Sequence, residues 1–487
     1  MPLKEPRKLR IRFSSDKISF TKSDTSSDTA EFDSDKSYIE LTVSRIFHKA
    51  LNKSRVEGLF EKDDFEVLGK ILFKLLCPND QSEARTFVYN ELKYILRAEE
   101  ERGRIFLQFD KYANDRAYLP WEYLKIDENL HENVHSFYLG ANAKQKFDLI
   151  RLVDKKAINV NPTSKIQRKL VIAVMVCTPD GHSSFELNEF GNIFDKLKDK
   201  YNQDDKNPRF IIWEIKKTSL DMLEDEFREL DGLVGEQEDY ILHIYGHARM
   251  RQDERQEIAE IGLAQDGETQ WVGKDFFASF FNADKNYKRP LICVFQACES
   301  GQLTRNGEGF ALSLIENQIP HVLAMQNEIT TRSSNAFFYK FYESLLNGED
   351  FFTAVTIGRI FLGCEFEKES PQNPKEHFNN NTFGSPVVFS STMIPARFFD
   401  KEIQQKEEHD QRILICPECN VEYAYSPNRD SCSTFRCSGI PILKLTEVRY
   451  QENLKEIDEP QGIPSTRSSQ ASSGGNLTTS KSPNNPK

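Results

Sequence analysis

The sequence predicts an α/β fold, a mainly parallel sheet with helices on both faces, followed by a small cysteine-rich module. Three observations carry this expectation. From Leu170 onward, short and nearly continuous apolar runs alternate with stretches of helical periodicity, the pattern of strands buried on both faces and joined by crossover helices. No self-similar period of roughly 20 to 50 residues occurs, which excludes a solenoid. Four of the nine cysteines crowd into 22 residues near the far end, so that segment asks for an explanation of its own.

The elements follow in order. Phe65, Leu68, Ile71, Leu72 and Leu75 recur at helical spacing and stop at Pro78; Phe87 to Leu96 reads as a second helix and Arg104 to Phe109 as a strand. LVIAVMV, starting at Leu170, is the first fully buried strand, and a helix carrying Phe190, Ile193, Phe194 and Leu197 follows it. Then come the strand FIIWEI, a helix over Met222 to Leu230, the strand YILHIY, the strand LICVF, a helix over Phe310 to Ile315 and the strand HVLAM. Two helices, Ser333 to Leu346 and Phe351 to Leu362, complete the series.

Length and charge bound the function. The 487 residues suffice for two or three domains. A net charge of −12, from 64 Lys and Arg against 76 Asp and Glu, with the acids interspersed, argues against a nucleic-acid binder, which needs a basic face. The start, MPLKEPRKLRIRF, lacks the apolar core of a signal peptide, and no stretch of about 18 apolar residues occurs. A cytoplasmic protein with no membrane segment is expected, its cysteines being thiols or metal ligands rather than disulfides. Residues 21–37 and the Pro-, Ser-, Gly- and Asn-rich tail hold too few apolar groups to offset ordering entropy, so both are expected to be disordered.

Ligands of open α/β sheets bind beyond the carboxyl ends of the strands, where loops carry reactive groups on a rigid base. Two such ends stand out. Tyr240 to Tyr245 runs into Gly246-His247, and Leu291 to Phe295 runs into Gln296-Ala297-Cys298-Glu299-Ser300-Gly301. On neighbouring strands, about 4.8 Å apart, Cys298 would be a nucleophile and His247 its general base, because an imidazole lowers the thiol pKa and later protonates a leaving amine. The backbone N–H groups of Gly246 and Cys298 would serve an oxyanion, and Gly301 would allow a sharp turn. No cofactor is expected for catalysis. His243, among apolar neighbours, reads as a core histidine, His182 as a loop residue and Cys293 as packing.

ILHIYGHA, VFQACESG 51 residues later, the run GEGFALSLIENQIPHVLAMQNEITTRSSNAFFYKFYESLLNGEDFFTAV, the closing FGSPVVF and the earlier LPWEYLKI together resemble the CHAT domain, a branch of the caspase and separase clan of cysteine peptidases. The likeness spans roughly residues 40 to 390, and Gln296-Ala297-Cys298 also begins as the caspase signature does. Ala248 stands where the family usually has Gly after its His. The resemblance implies a caspase-like fold, a catalytically empty half over residues 40–165 and an active half over 166–395. It further implies a specificity pocket lined by Asp180 and Gln296, and Asp180 at its floor would select a basic side chain before the scissile bond. Read as turn chemistry instead, Asp180 merely caps Pro179-Asp180-Gly181. Members of this family often act in bacterial defence, which implies a protein substrate and a separate activator or sensor.

Residues 1–39 are assigned to an N-terminal strand and a disordered segment, 396–412 to a charged linker, 413–450 to a zinc-ribbon-like module and 451–487 to a disordered tail. Within the module Cys416, Cys419, Cys432 and Cys437 give C-x2-C, a gap of 12 and C-x4-C. Such spacing closes a tetrahedral thiolate site over hairpin-sized loops, and a segment of about 40 residues usually needs that metal to fold. A structural zinc is expected there; the usual second knuckle of a ribbon is C-x2-C, and His409 is an alternative ligand. Two readings of the whole chain stand: a cysteine endopeptidase, or a catalytically inactive scaffold whose ribbon recruits a partner.

Overall fold

The computed structural model describes residues 6–22, 29–33, 40–46, 62–77, 82–97, 102–110, 113–126, 137–141, 147–153, 169–177, 184–202, 208–215, 220–234, 238–252, 257–265, 268–281, 287–303, 308–368, 381–399, 413–415, 422–424 and 442–443. The chain divides into two compact units, Met1–Gln404 and Gln405–Lys487.

The first unit opens with β1 (Arg7–Phe13), β2 (Lys17–Lys22) and β3 (Thr29–Asp33), then α1 (residues 40–46), α2 (Lys62–Leu76) and α3 (Ser82–Arg97). Next come β4 (Gly103–Phe109), the short α4 (Asn114–Ala117), a 3₁₀ turn at Trp121–Tyr123, β5 (Lys125–Ile126), β6 (Phe137–Tyr138) and β7 (Phe147–Leu152). The chain continues through β8 (Leu170–Cys177), α5 (Ser184–Tyr201), β9 (Phe210–Ile215), α6 (Leu220–Val234) and β10 (Tyr240–Gly246). A side sheet of β11 (Ala248–Gln252), β12 (Glu257–Gln265) and β13 (Glu268–Gly273) precedes α7 (Lys274–Ser279) and β14 (Ile292–Gln296). The unit closes with α8 (Phe310–Glu316), β15 (His321–Met325), α9 (Thr331–Leu346), α10 (Phe351–Lys368) and β16 (Pro386–Ser390).

Eleven strands form one sheet in the order β3-β2-β1-β4-β7-β16-β15-β14-β10-β8-β9. β15, β14, β10, β8 and β9 run parallel, as do β1, β4, β7 and β16, and the two sets meet antiparallel at β15 and β16. This is the mixed, mostly parallel α/β sheet expected of the apolar runs. One face of β8, β10 and β14 presents Ala173, Leu242, Ile244 and Phe295 to Phe227 of α6 and Phe310 of α8. The opposite face presents Ile172, Ile241 and Val294 to Phe194 of α5 and Phe338 of α9. Burial on both faces explains why these strands read as continuous rather than alternating apolar runs.

Between β8 and β10 the winding reverses: β8 leads outward to β9, and β10 then starts toward β14 and β15 on the other side. Loops leaving a sheet at such a point diverge and leave a crevice.

Two expectations are corrected here. Residues 21–37 were expected to be disordered, yet Thr29–Asp33 is a strand paired with β2 in the register Phe20↔Ala30. An edge strand needs one partner and few apolar groups, which composition alone undervalues. Ala396, Phe398 and Phe399, assigned to the charged linker, are buried in the main core, because the apolar residues precede the charged run and pack back on the sheet. No described helix is long and apolar enough to cross a membrane.

In the second unit β17 (Ile413–Ile415) pairs antiparallel with β18 (Glu422–Ala424) and with β19 (Ile442–Leu443). Cys416 and Cys419 fall between β17 and β18 in sequence, but they and Cys432 and Cys437, like His409, lie outside the described residues.

Candidate active site

β10 and β14 are adjacent and parallel, with Ile241 opposite Ile292 and Tyr245 opposite Gln296. The offset is 292 − 241 = 51, the same interval that separates His247 from Cys298 in the sequence. Both residues thus lie two positions beyond the last residues paired between these strands, Tyr245 and Gln296. Both are partly exposed, whereas the thiols of Cys77, Cys177 and Cys293 are buried and pushed well above the ordinary cysteine range by burial. A shielded thiol that resists ionisation is no nucleophile. Of these four cysteines, only Cys298 meets solvent at a strand end.

The chain around Cys298 is held by short-range bonds. Ser300 donates its hydroxyl to the Ala297 carbonyl (2.7 Å) and accepts the Met325 N–H (3.1 Å), and the Gly301 N–H donates to the Met325 carbonyl (2.8 Å). A Cβ at Gly301 would collide with Val387, so the turn depends on that glycine. The thiol of Cys298 lies 3.9 Å from the Ile329 carbonyl. Glu299 adopts φ 60°, in the left-handed region, and its buried carboxylate accepts the N–H of Met250 at 3.2 Å.

On the other strand end, a Cβ at Gly246 would strike the carbonyl oxygen of Cys177, so glycine there lets β10 and β8 approach. The carbonyl of His247 accepts the Gly262 N–H (2.9 Å), and Ala248 opens β11 opposite Ile261. Ala248 thus takes an extended backbone that any residue adopts. Arg249, with its guanidinium 3.9 Å from the Trp271 ring, and Arg251 both pair with Glu260.

Directly beneath the site sits a directed hydrogen-bond chain. The Oε1 of Gln296 only accepts, so His243 donates Nε2–H to it (3.1 Å) and its Nδ1 accepts the Tyr342 hydroxyl (2.7 Å). The amide nitrogen of Gln296 then donates to Oδ1 of Asn335 (2.7 Å). Burial pushes the His243 pKa down to about 3, with the Gln296 bond opposing. His243 is a neutral core histidine. Gln296, expected to line a specificity pocket, is 5% exposed and has both ends of its amide engaged; here it ties β14 to α9. Asp180 and His182 lie outside the described residues.

Sequence reasoning missed Glu299, Asn335, Tyr342 and the side sheet. Only the last had a local signal, because Asp266-Gly267 between two apolar runs is a strong hairpin mark, and Gln265 does pair with Glu268.

No protein family matches the sequence, and no curated protein does. Among solved structures, the chain is similar to separase in the Saccharomyces cerevisiae separase–securin complex, with a TM-score of 0.41 and 11% identity over 80% of this chain. The match covers 30% of the separase chain, so this protein spans under a third of it. It is also similar to caspase-1 from Spodoptera frugiperda, with a TM-score of 0.32 and 17% identity over 51% of this chain and 98% of the other.

Proposed function

We propose that this chain is a cysteine endopeptidase of the CHAT type, with Cys298 as nucleophile and His247 as general base. The observation that supports the reading is the 51-residue register between β10 and β14, which equals the His-to-Cys interval in the sequence. In the reaction His247 takes the thiol proton, the thiolate adds to a peptide carbonyl, and His247 returns the proton to the leaving amine. Water then hydrolyses the acyl-enzyme. Backbone N–H groups of Gly246 and Cys298 are the proposed oxyanion donors.

The substrate is a protein, the activating signal comes from a separate sensor, and the setting is cytoplasmic, as in bacterial antiviral defence. Zinc held by Cys416, Cys419, Cys432 and Cys437 is proposed as structural only. The test is a comparison of cleaved termini in a host proteome treated with the wild-type chain and with Cys298→Ala. New termini unique to the wild type support the reading, and identical termini contradict it.

A further inference from the structure

Where the two parallel sets of strands meet lies a buried polar cluster that neither set completes alone. Glu122 of the 3₁₀ turn is 1% exposed, Arg151 of β7 2% and Gln326 2%. Arg151 donates Nε and Nη2 to the two carboxylate oxygens of Glu122 at 3.1 and 2.6 Å, and it also donates to the carbonyls of Ala117 and Leu119. Nη2 of Arg151 also reaches Oε1 of Gln326 (2.9 Å), and Nε2 of Gln326 donates to Glu122 (2.7 Å) and to the Gly384 carbonyl. The Gln326 amide is satisfied at both ends. Buried networks of this kind are rigid when complete and costly when broken.

Gln326 is the first residue after β15, and the loop it begins passes Cys298 before entering α9. Its backbone N–H is fixed by the Ser385 carbonyl (2.8 Å). At the far end Thr330 caps α9 by accepting the Ser333 N–H (3.2 Å). Only Asn327, Glu328 and Ile329 separate the two anchors, and the carbonyl facing the Cys298 thiol belongs to Ile329. Three residues between fixed points have little freedom, so the position of that carbonyl is set by the anchors.

We infer that Glu122 is a positioning residue for Cys298, acting through Arg151 and Gln326 to hold the 326–330 loop and with it the Ile329 carbonyl against the thiol. The inference rests on the reading of Cys298 as nucleophile. A carbonyl that accepts from S–H fixes where the sulfur sits and favours the neutral thiol at rest, until the base draws the proton away. The strands on the β7 side of the sheet therefore support the strand ends on the β14 side.

The experiment is alkylation of Cys298 by iodoacetamide across pH, read by the mass of the peptide that carries it, beside peptide turnover. Gln326→Ala leaves the Glu122–Arg151 pair intact. It should lower the pH midpoint of alkylation, because the neutral thiol loses its acceptor, and lower kcat roughly tenfold with KM little changed. Glu122→Gln keeps the shape of the side chain but removes the charge that Arg151 and Gln326 share, and should move both values the same way. A wild-type midpoint and kcat in Gln326→Ala, or in Glu122→Gln, overturns the inference. If Gln326→Ala does not fold, Thr330→Ala loosens the same loop from its other end and should move the midpoint the same way; no movement there also overturns it. Absence of peptide turnover in the wild type would contradict the peptidase reading alone, since the alkylation midpoints still decide this one.

Discussion

The carboxylate of Glu299 accepts the backbone N–H of Met250 at 3.2 Å, so the residue after Cys298 grips the strand that begins one residue after His247. The left-handed φ of Glu299 costs about 1–3 kcal/mol, and the bond is made from that conformation. Glu299→Gln keeps an acceptor and should retain most activity. Glu299→Gly relieves the backbone but loses the bond, so thermal melting should hold or rise while kcat/KM falls roughly tenfold. Parallel losses of melting temperature and activity in Glu299→Gly would show that the bond does not position the site.

Two buried histidines predict acid sensitivity. Burial lowers His243 to about 3, and burial, opposed by Asp350, lowers His321 to about 3, while the unfolded side chains titrate near 6.5. Between these values the unfolded state binds more protons. Stability is thus fully present above about pH 6.5 and falls as pH drops toward 3, by on the order of a few kcal/mol per histidine. Melting measured at pH 7.5 and pH 5 should show a smaller difference in His243→Gln than in the wild type. An equal difference would mean that His243 ionises freely.

The sheet was legible where burial on both faces leaves a long apolar run, as in LVIAVMV and YILHIY, and both strand ends were legible because Gly246-His247 and the Cys298 turn follow such runs directly. What could not be read is nonlocal. Glu122, Arg151 and Gln326 are separated by 29 and 175 residues, and each alone looks like an ordinary polar surface residue. Gln296 was placed at the correct strand end, but which groups its amide meets depends on how α9 packs, and periodicity does not encode that. Strand β3 and the buried Phe398 and Phe399 were hidden by polar neighbours that dominate local composition.

The cysteine-rich segment belongs to a separate compact unit, so a metal held there should be separable from the core. Metal analysis of reduced protein should find one zinc per chain, lost in Cys416→Ser with Cys419→Ser. Deleting residues 410–487 should leave the melting of the core unchanged. Failure of the truncated chain to fold would show that the two units depend on each other.

Side-chain preference before the scissile bond should be basic, with Asp180 as the charge partner, since an acidic pocket floor repels Asp and Glu. A peptide library should show cleavage after Arg or Lys, weakened in Asp180→Ala by about tenfold or more. Preference for Leu or Asp, or an unchanged profile in Asp180→Ala, would reduce Asp180 to a turn residue.

A nucleophile at Cys298 activated by His247 should react with a peptidyl electrophile. Wild-type protein incubated with a peptidyl acyloxymethyl ketone should carry one adduct, on Cys298. Cys298→Ala should carry none, and His247→Ala should label at least about a hundredfold more slowly while melting normally. An adduct on another cysteine, or equal labelling in His247→Ala, would show that Cys298 and His247 are not a nucleophile and its base.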